Sequence, residues 1–106
     1  MVNATPADVE VVDVPDESRF VVRHEGAEAE LVYERAGNQL ALVHTGVPDA
    51  LGGKGIGGRL VAAAVDRARA EDLTLVPWCP FARRWLHDHA DATEGVAVDW
   101  DTPPPS

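Results

Sequence analysis

The chain has 106 residues, about 45% apolar and 25% charged, which is one soluble domain with a single modest core. Its charge is lopsided: 18 Asp plus Glu against 9 Lys plus Arg, a net −9 with His neutral, and Lys54 is the only lysine. That balance argues against general nucleic-acid binding. No apolar run approaches the roughly 20 residues of a membrane span, and no basic and apolar leader follows Met1. The one cysteine, Cys79, rules out an internal disulfide framework or a cysteine-rich zinc site. The expected compartment is the cytoplasm. Two origins of the acidity stay open: a cytoplasm of high ionic strength, or a GC-rich genome that favours Ala, Val, Asp and Arg.

In chain order, residues 1–15 form an acidic segment in which Val9, Val11, Val12 and Val14 suit a short edge strand. Residues 16–92 read as the folded domain and 93–106 as an acidic, Pro-rich tail. Arg19–His24 is rich in β-formers. After the Glu25-Gly26 turn, Ala27–Arg35 alternates with Ala27, Ala29, Leu31 and Tyr33 on one face, the period of a half-exposed antiparallel strand. Gln39–Thr45 makes a third strand, so the three form a meander.

Gly52-Gly53-Lys54-Gly55-Ile56-Gly57-Gly58 then opens a helix whose stripe is Ile56, Leu60, Ala64 and Ala68, widened by Val61 and Val65. Asp72 ends it. Leu73–Pro77 reads as a short buried strand, and Phe81–His89 as a second helix with Pro80 in its first turn. Val96–Trp100 suits another edge strand, and Thr102–Ser106 a loose end. The fold class is therefore α/β (α+β): a mixed sheet built from an antiparallel meander followed by helix-strand-helix.

A glycine loop before a helix exposes successive N–H groups beside the positive end of the helix dipole, an arrangement suited to phosphate. The Walker pattern fails because Gly55 follows Lys54. A dinucleotide fold fails because the next strand ends Val76-Pro77-Trp78, without an acid for ribose. Cys79, at a helix N-terminus, is either a small buried hydrophobe or a thiol made more nucleophilic by the dipole. His44, at a strand end, is either a hydrogen-bonded structural residue or a general base. The His87-x-His89 pair faces two sides of a helix, so no metal is expected. Arg83 and Arg84 suit a solvated helix face better than a phosphate site.

Taken in order, His44-Thr45-x-Val47-Pro48, Leu51-x-Gly53-Lys54-Gly55-Ile56-Gly57, Val76-Pro77-x-Cys79-Pro80-Phe81-Ala82 and His89 resemble the minimal GCN5-related N-acetyltransferase-like family. The resemblance spans roughly Val9 to Asp91. It implies acetyl-CoA as ligand, held by Val47, Gly52, Gly53, Lys54, Gly55, Ile56, Gly57 and Gly58. The pantetheine arm would then pair with backbone near Thr45 and Val47, in a splay between the third strand and Leu73–Pro77. It implies Cys79 and His44 as active-site residues and an amine as acceptor. Two positions depart from the family pattern: Gly52 stands where Gln or Arg is usual, and Gly46 where Glu is common.

Two routes remain open, direct attack of the amine with His44 as base, or a relay through acetylated Cys79. The functional expectation is N-acetyl transfer, with a CoA- or acyl-CoA-binding module as the alternative and a scaffold without a ligand as a third. The acidic surface favours cationic amines such as lysine side chains, polyamines or basic N-termini. A monomer or small homo-oligomer is expected, without nucleic acid or membrane partners.

Overall fold

A computed structural model describes residues 10–53 and 55–105. Lys54, and Val9 of the expected edge strand, lie outside the described residues. Five strands, β1 (Val12–Val14), β2 (Arg19–His24), β3 (Ala27–Ala36), β4 (Gln39–Gly46) and β5 (Thr74–Pro77), form one sheet in sequence order. The first four run antiparallel, and β5 joins β4 in parallel. Helix α1 (Ile56–Glu71) makes the crossover between β4 and β5, and α2 (Pro80–Asp88) follows β5. Short 3-10 turns lie at Pro15–Glu17, Asp49–Leu51 and Ala90–Thr93. The fold is thus the mixed α/β sheet expected, with the meander first and one crossover after it.

The periodicities account for the core. On β3, Ala29, Leu31 and Tyr33 are buried while Glu28 and Glu34 are exposed. Cross-strand partners share a face, so Phe20 and Val22 on β2 and Leu42 on β4 line up with them. The α1 stripe of Ile56, Leu60, Val61, Ala64, Val65 and Ala68 covers that face, and Ala82 and Leu86 of α2 join the same cluster. Among the described residues, Val21, Ala41 and Val76 are buried hydrophobics outside this cluster. The sheet therefore has a helix-covered face and an open one. The open face carries Arg19, Arg23, Glu28, Glu30, Glu34 and, as shown below, His44.

Asp72 closes α1 in a left-handed conformation at φ 58°, with Leu73 N donating to Ala68 O at 2.8 Å. That cap takes Leu73 out of the strand, so β5 begins at Thr74. Pro80 starts α2 one residue earlier than expected, and His89 caps its end. The expected edge strand at Val96–Trp100 shrinks to a single parallel bridge between Leu75 and Val98, supported by Leu75 N to Ala97 O at 2.9 Å and Asp99 N to Leu75 O at 2.8 Å. Asp99 Oδ1 accepts from the N–H groups of Asp101 and Thr102, which bends the chain away from β5. The C-terminal segment then lies against α2 and Trp78: Trp78 Nε1 donates to Thr102 O at 2.9 Å, and Arg83 donates to Trp100 O at 3.0 Å with its guanidinium over the Trp100 ring. Trp100 thus has a place in the monomer. Among the described residues, no helix is long and apolar enough to cross a membrane.

Candidate active site

β4 and β5 pair only from Gln39–Thr74 to Leu42–Pro77. Pro77 has no N–H to extend the ladder, and the next two donors, Trp78 N and Cys79 N, both return to Leu42 O at 3.0 and 2.8 Å. From there β5 turns into α2 while β4 runs on to Gly46. Residues 43–46 therefore keep β3 on one side and have no β5 partner on the other. This is the expected splay, and its base is Leu42.

A second irregularity lies at the same place. The β3–β4 register shifts between Val32 and Tyr33, which face His44 and Leu42. Val43 is the extra residue of a β-bulge, and the bulge reverses the alternation beyond it. Leu40 and Leu42 lie on the helix face. Without the bulge His44 would follow them. Instead Thr45 pairs with Leu31 on the helix face, and His44 pairs with Val32 on the open face, where it is exposed.

That reversal decides what meets Cys79. The thiol sits at the N-cap of α2, only 4% exposed and part of the core cluster. Its Sγ is 3.2 Å from Thr45 Oγ1, a hydrogen bond bridging the two strands just past the point where their backbones part. No hydrogen bond joins Cys79 to His44 among the described residues. The two side chains flank the free edge of β4 from different sides of the sheet. The sequence points to Thr45 for its backbone alone, because the contact of its side chain depends on the bulge.

The glycine loop, by contrast, gathers around one cavity. Val47, Gly52, Gly53, Gly55, Ile56, Gly57 and Gly58 line one cavity of about 300 Å³, together with Leu51 and Phe81. Lys54 lies outside the described residues. Gly53 and Gly55 have φ of +75° and +72°, and a Cβ on either would meet nothing within 4 Å. They give the loop its left-handed turns and leave open space beside the backbone. Gly55 is also the N-cap of α1. The first turn of α1 holds no acidic residue in a chain with 18 of them, and Arg59 of that turn makes no ion pair among the described residues. Loop, helix end and Arg59 together suit an anion.

Gly57 and Gly58 do something else. A Cβ at Gly57 would stand 2.7 Å from the Phe81 ring, and one at Gly58 would stand 2.6 Å from Trp85 Nε1. They let α2 approach α1 closely, which fixes Cys79 beside Thr45. Phe81 is 46% exposed and can swing aside. Trp85 is stacked on His89 at 4.1 Å between ring centroids and is less free. Gly58→Ala should therefore destabilise by about 1–2 kcal/mol, overpacking less the gain in helix propensity. Gly57→Ala should be close to neutral, and Gly55→Ala should cost about 1–2 kcal/mol in backbone strain. Urea unfolding of the three variants checks the order.

A larger cavity, about 620 Å³, lies along Pro80, Arg83, Arg84, His87, Asp88 and Trp100. It is on the α2 face turned away from Gly57 and Gly58 and contains none of the loop. Arg83 is committed to Trp100, and the exposed Arg84 is 3.5 Å from Asp88, so the solvated-face reading of these arginines fits.

Comparison with known proteins agrees with this geometry. The sequence profile of the GCN5-related N-acetyl-transferase family matches residues 19–95. Protein NATD1 of Gallus gallus is 36% identical over 74 residues, 67% of this chain and 67% of that protein. Protein NATD1 of Homo sapiens is also 36% identical over 74 residues, 67% of this chain and 66% of its own length. The solution structure of a GCN5-like protein from Staphylococcus aureus superposes with a TM-score of 0.67 at 28% identity, covering 91% of this chain and 95% of that one. With a profile match over most of its length and relatives at this identity, the chain belongs to the GCN5-related N-acetyltransferase family.

Proposed function

We propose that this chain transfers the acetyl group of acetyl-CoA to an amine, with the donor along the free edge of β4 and the acceptor on the open face. The observation that carries the reading is that Val47, which lines the glycine-loop cavity, directly follows the unpaired edge at residues 43–46. The residues present fit the donor. Open space beside Gly53 and Gly55 and the acid-free first turn of α1 suit its pyrophosphate. The backbone groups of residues 43–46 on the β5 side suit an amide-bearing arm added as a strand. Acetyl-CoA, when bound, supplies the thioester carbonyl.

The chain's own residues then have separable tasks. His44, exposed on the open face, takes a proton from the attacking amine directly or through a water. Thr45 and Cys79 lie on the helix side of the same edge, where their hydrogen bond holds the splay open at a fixed width. The buried and engaged thiol favours direct transfer over a relay.

The test is CoA-thiol release from acetyl-CoA across a panel of peptides, polyamines and amino acids. Turnover with at least one amine is expected, and Gly55→Ala should raise the KM for acetyl-CoA several-fold. Binding of acetyl-CoA without turnover on any amine would replace transfer by a binding module.

A further inference from the structure

Gly46 pairs with Glu30 across β3 and β4, and His44 pairs with Val32, so Glu30, His44 and Gly46 share the open face. Gly46, which has no side chain, lies between the other two. The point where its Cβ would stand is 3.3 Å from His44 Nε2 and 3.9 Å from Glu30 Cγ. The histidine ring therefore leans over Gly46 toward Glu30. Oε1 of Glu30 accepts from Arg19 Nη1 at 2.9 Å, which anchors the carboxylate, and Oε2 accepts no hydrogen bond among the described residues. Arg19 is shared with Glu17 and Glu28, and Arg23 serves Glu28 as well. Three carboxylates against two guanidiniums leave the patch around Glu30 with one negative charge in excess.

We infer that Glu30 is the specificity residue of the acceptor side, and that the acceptor is a small amine with a second positive charge close to the reacting nitrogen. The second cation pairs with Glu30 Oε2 over Gly46, and the reacting nitrogen then lies at His44 on the free edge of β4. A side chain at position 46 would press on the His44 ring and stand between it and Glu30. This inference rests on the acetyl-transfer reading with His44 as the base. It adds a carboxylate that neither spacing nor motif picks out, because Glu30 comes to His44 only through the β3–β4 register.

The experiment compares initial rates for a diamine and a monoamine of equal chain length, at low salt and saturating acetyl-CoA, in wild type, Glu30→Gln, Glu30→Asp and Glu34→Gln. Glu34 lies on the same face opposite Ala41, away from His44, and serves as the control. Glu30→Gln should raise the KM of the diamine about two- to fivefold, as expected for a partly exposed charge pair. It should leave kcat and the KM of the monoamine unchanged. Glu30→Asp, which keeps the charge, should fall between, and should carry the comparison if Glu30→Gln fails to fold. Equal KM values for diamine and monoamine in the wild type, or an unchanged diamine KM in Glu30→Gln, overturn the inference and leave acetyl transfer standing. Absence of thiol release by the wild type with every amine defeats acetyl transfer itself, and the inference with it.

Discussion

Replacing His44 by alanine should lower kcat by about 10²–10⁴, the usual contribution of a positioned general base, while the KM for acetyl-CoA stays where it was. The two parameters separate because His44 is on the open face and the glycine-loop cavity lies beyond the other end of the free edge, with no His44 atom in its lining. Added imidazole should restore part of the lost rate, since the exposed position leaves room for it. Cys79→Ala should behave differently. The thiol is 4% exposed and engaged by Thr45, so its loss opens a small gap in the core and slackens the splay. The expected result is a modest fall in kcat with no acetylated enzyme trapped on mixing with acetyl-CoA alone. An inactive Cys79→Ala, together with acetyl trapped on Cys79 in the wild type, would establish the relay and displace His44 as the residue that activates the amine directly.

The contrast between these two residues shows where sequence reading stops. The meander was legible because Ala29, Leu31 and Tyr33 alternate with glutamates, and α1 because Ile56, Leu60, Ala64 and Ala68 keep a helical period. Periodicity carries information only while the period holds. One extra residue, Val43, breaks it in β4 and moves His44 from the covered face to the open one. Nothing in Leu-Val-His-Thr announces the bulge. It follows from fitting β4 against β3 on one side while releasing β5 on the other. The resemblance named His44 and Cys79 as a pair, and the fold puts them on opposite sides of a strand edge.

The glycine loop divides in a similar way. Counting glycines at Gly52–Gly58 marks an anion site, but the count does not separate backbone freedom from close approach. Gly53 and Gly55 hold positive φ with open space beside them, whereas Gly57 and Gly58 yield to Phe81 and Trp85, residues from the next helix. The net charge of −9 likewise said little about the pocket. Several carboxylates pair with arginines away from the loop: Glu17, Glu28 and Glu30 with Arg19, Glu71 with Arg35 and Arg67, Asp66 with Arg69. What the loop needs is their absence from the first turn of α1, which is a local property.

Arg67→Ala should destabilise by about 2–3 kcal/mol although it lies away from the site, because it strips partners from groups that stay largely out of water. Arg67 Nη1 donates to Tyr33 OH at 2.7 Å and to Asp13 Oδ2 at 3.1 Å, and Tyr33 OH donates to Asp13 Oδ1 at 2.7 Å. The Arg67 side chain is 15% exposed and lies over the Tyr33 ring. This triangle ties β1, through Asp13, to β3 and α1. For a domain of this size the loss corresponds to about 10–20 °C in Tm. Tyr33→Phe should cost less, about 1 kcal/mol, since Arg67 and Asp13 remain in contact. A double-mutant cycle should show the two changes to be coupled. The same triangle sets an alkaline limit. Burial, followed by the hydrogen bond to Asp13, holds the Tyr33 phenol above its ordinary value near 10, against an opposing pull from Arg67. A group whose folded pKa is raised contributes stability fully below its unfolded value and loses it as pH rises through the folded one. Wild type should therefore lose stability above about pH 10, and Tyr33→Phe should flatten that part of the curve. An unchanged alkaline slope in Tyr33→Phe would show that the phenol ionises as freely in the folded chain as in the unfolded one, and would remove the triangle as the lock on β1.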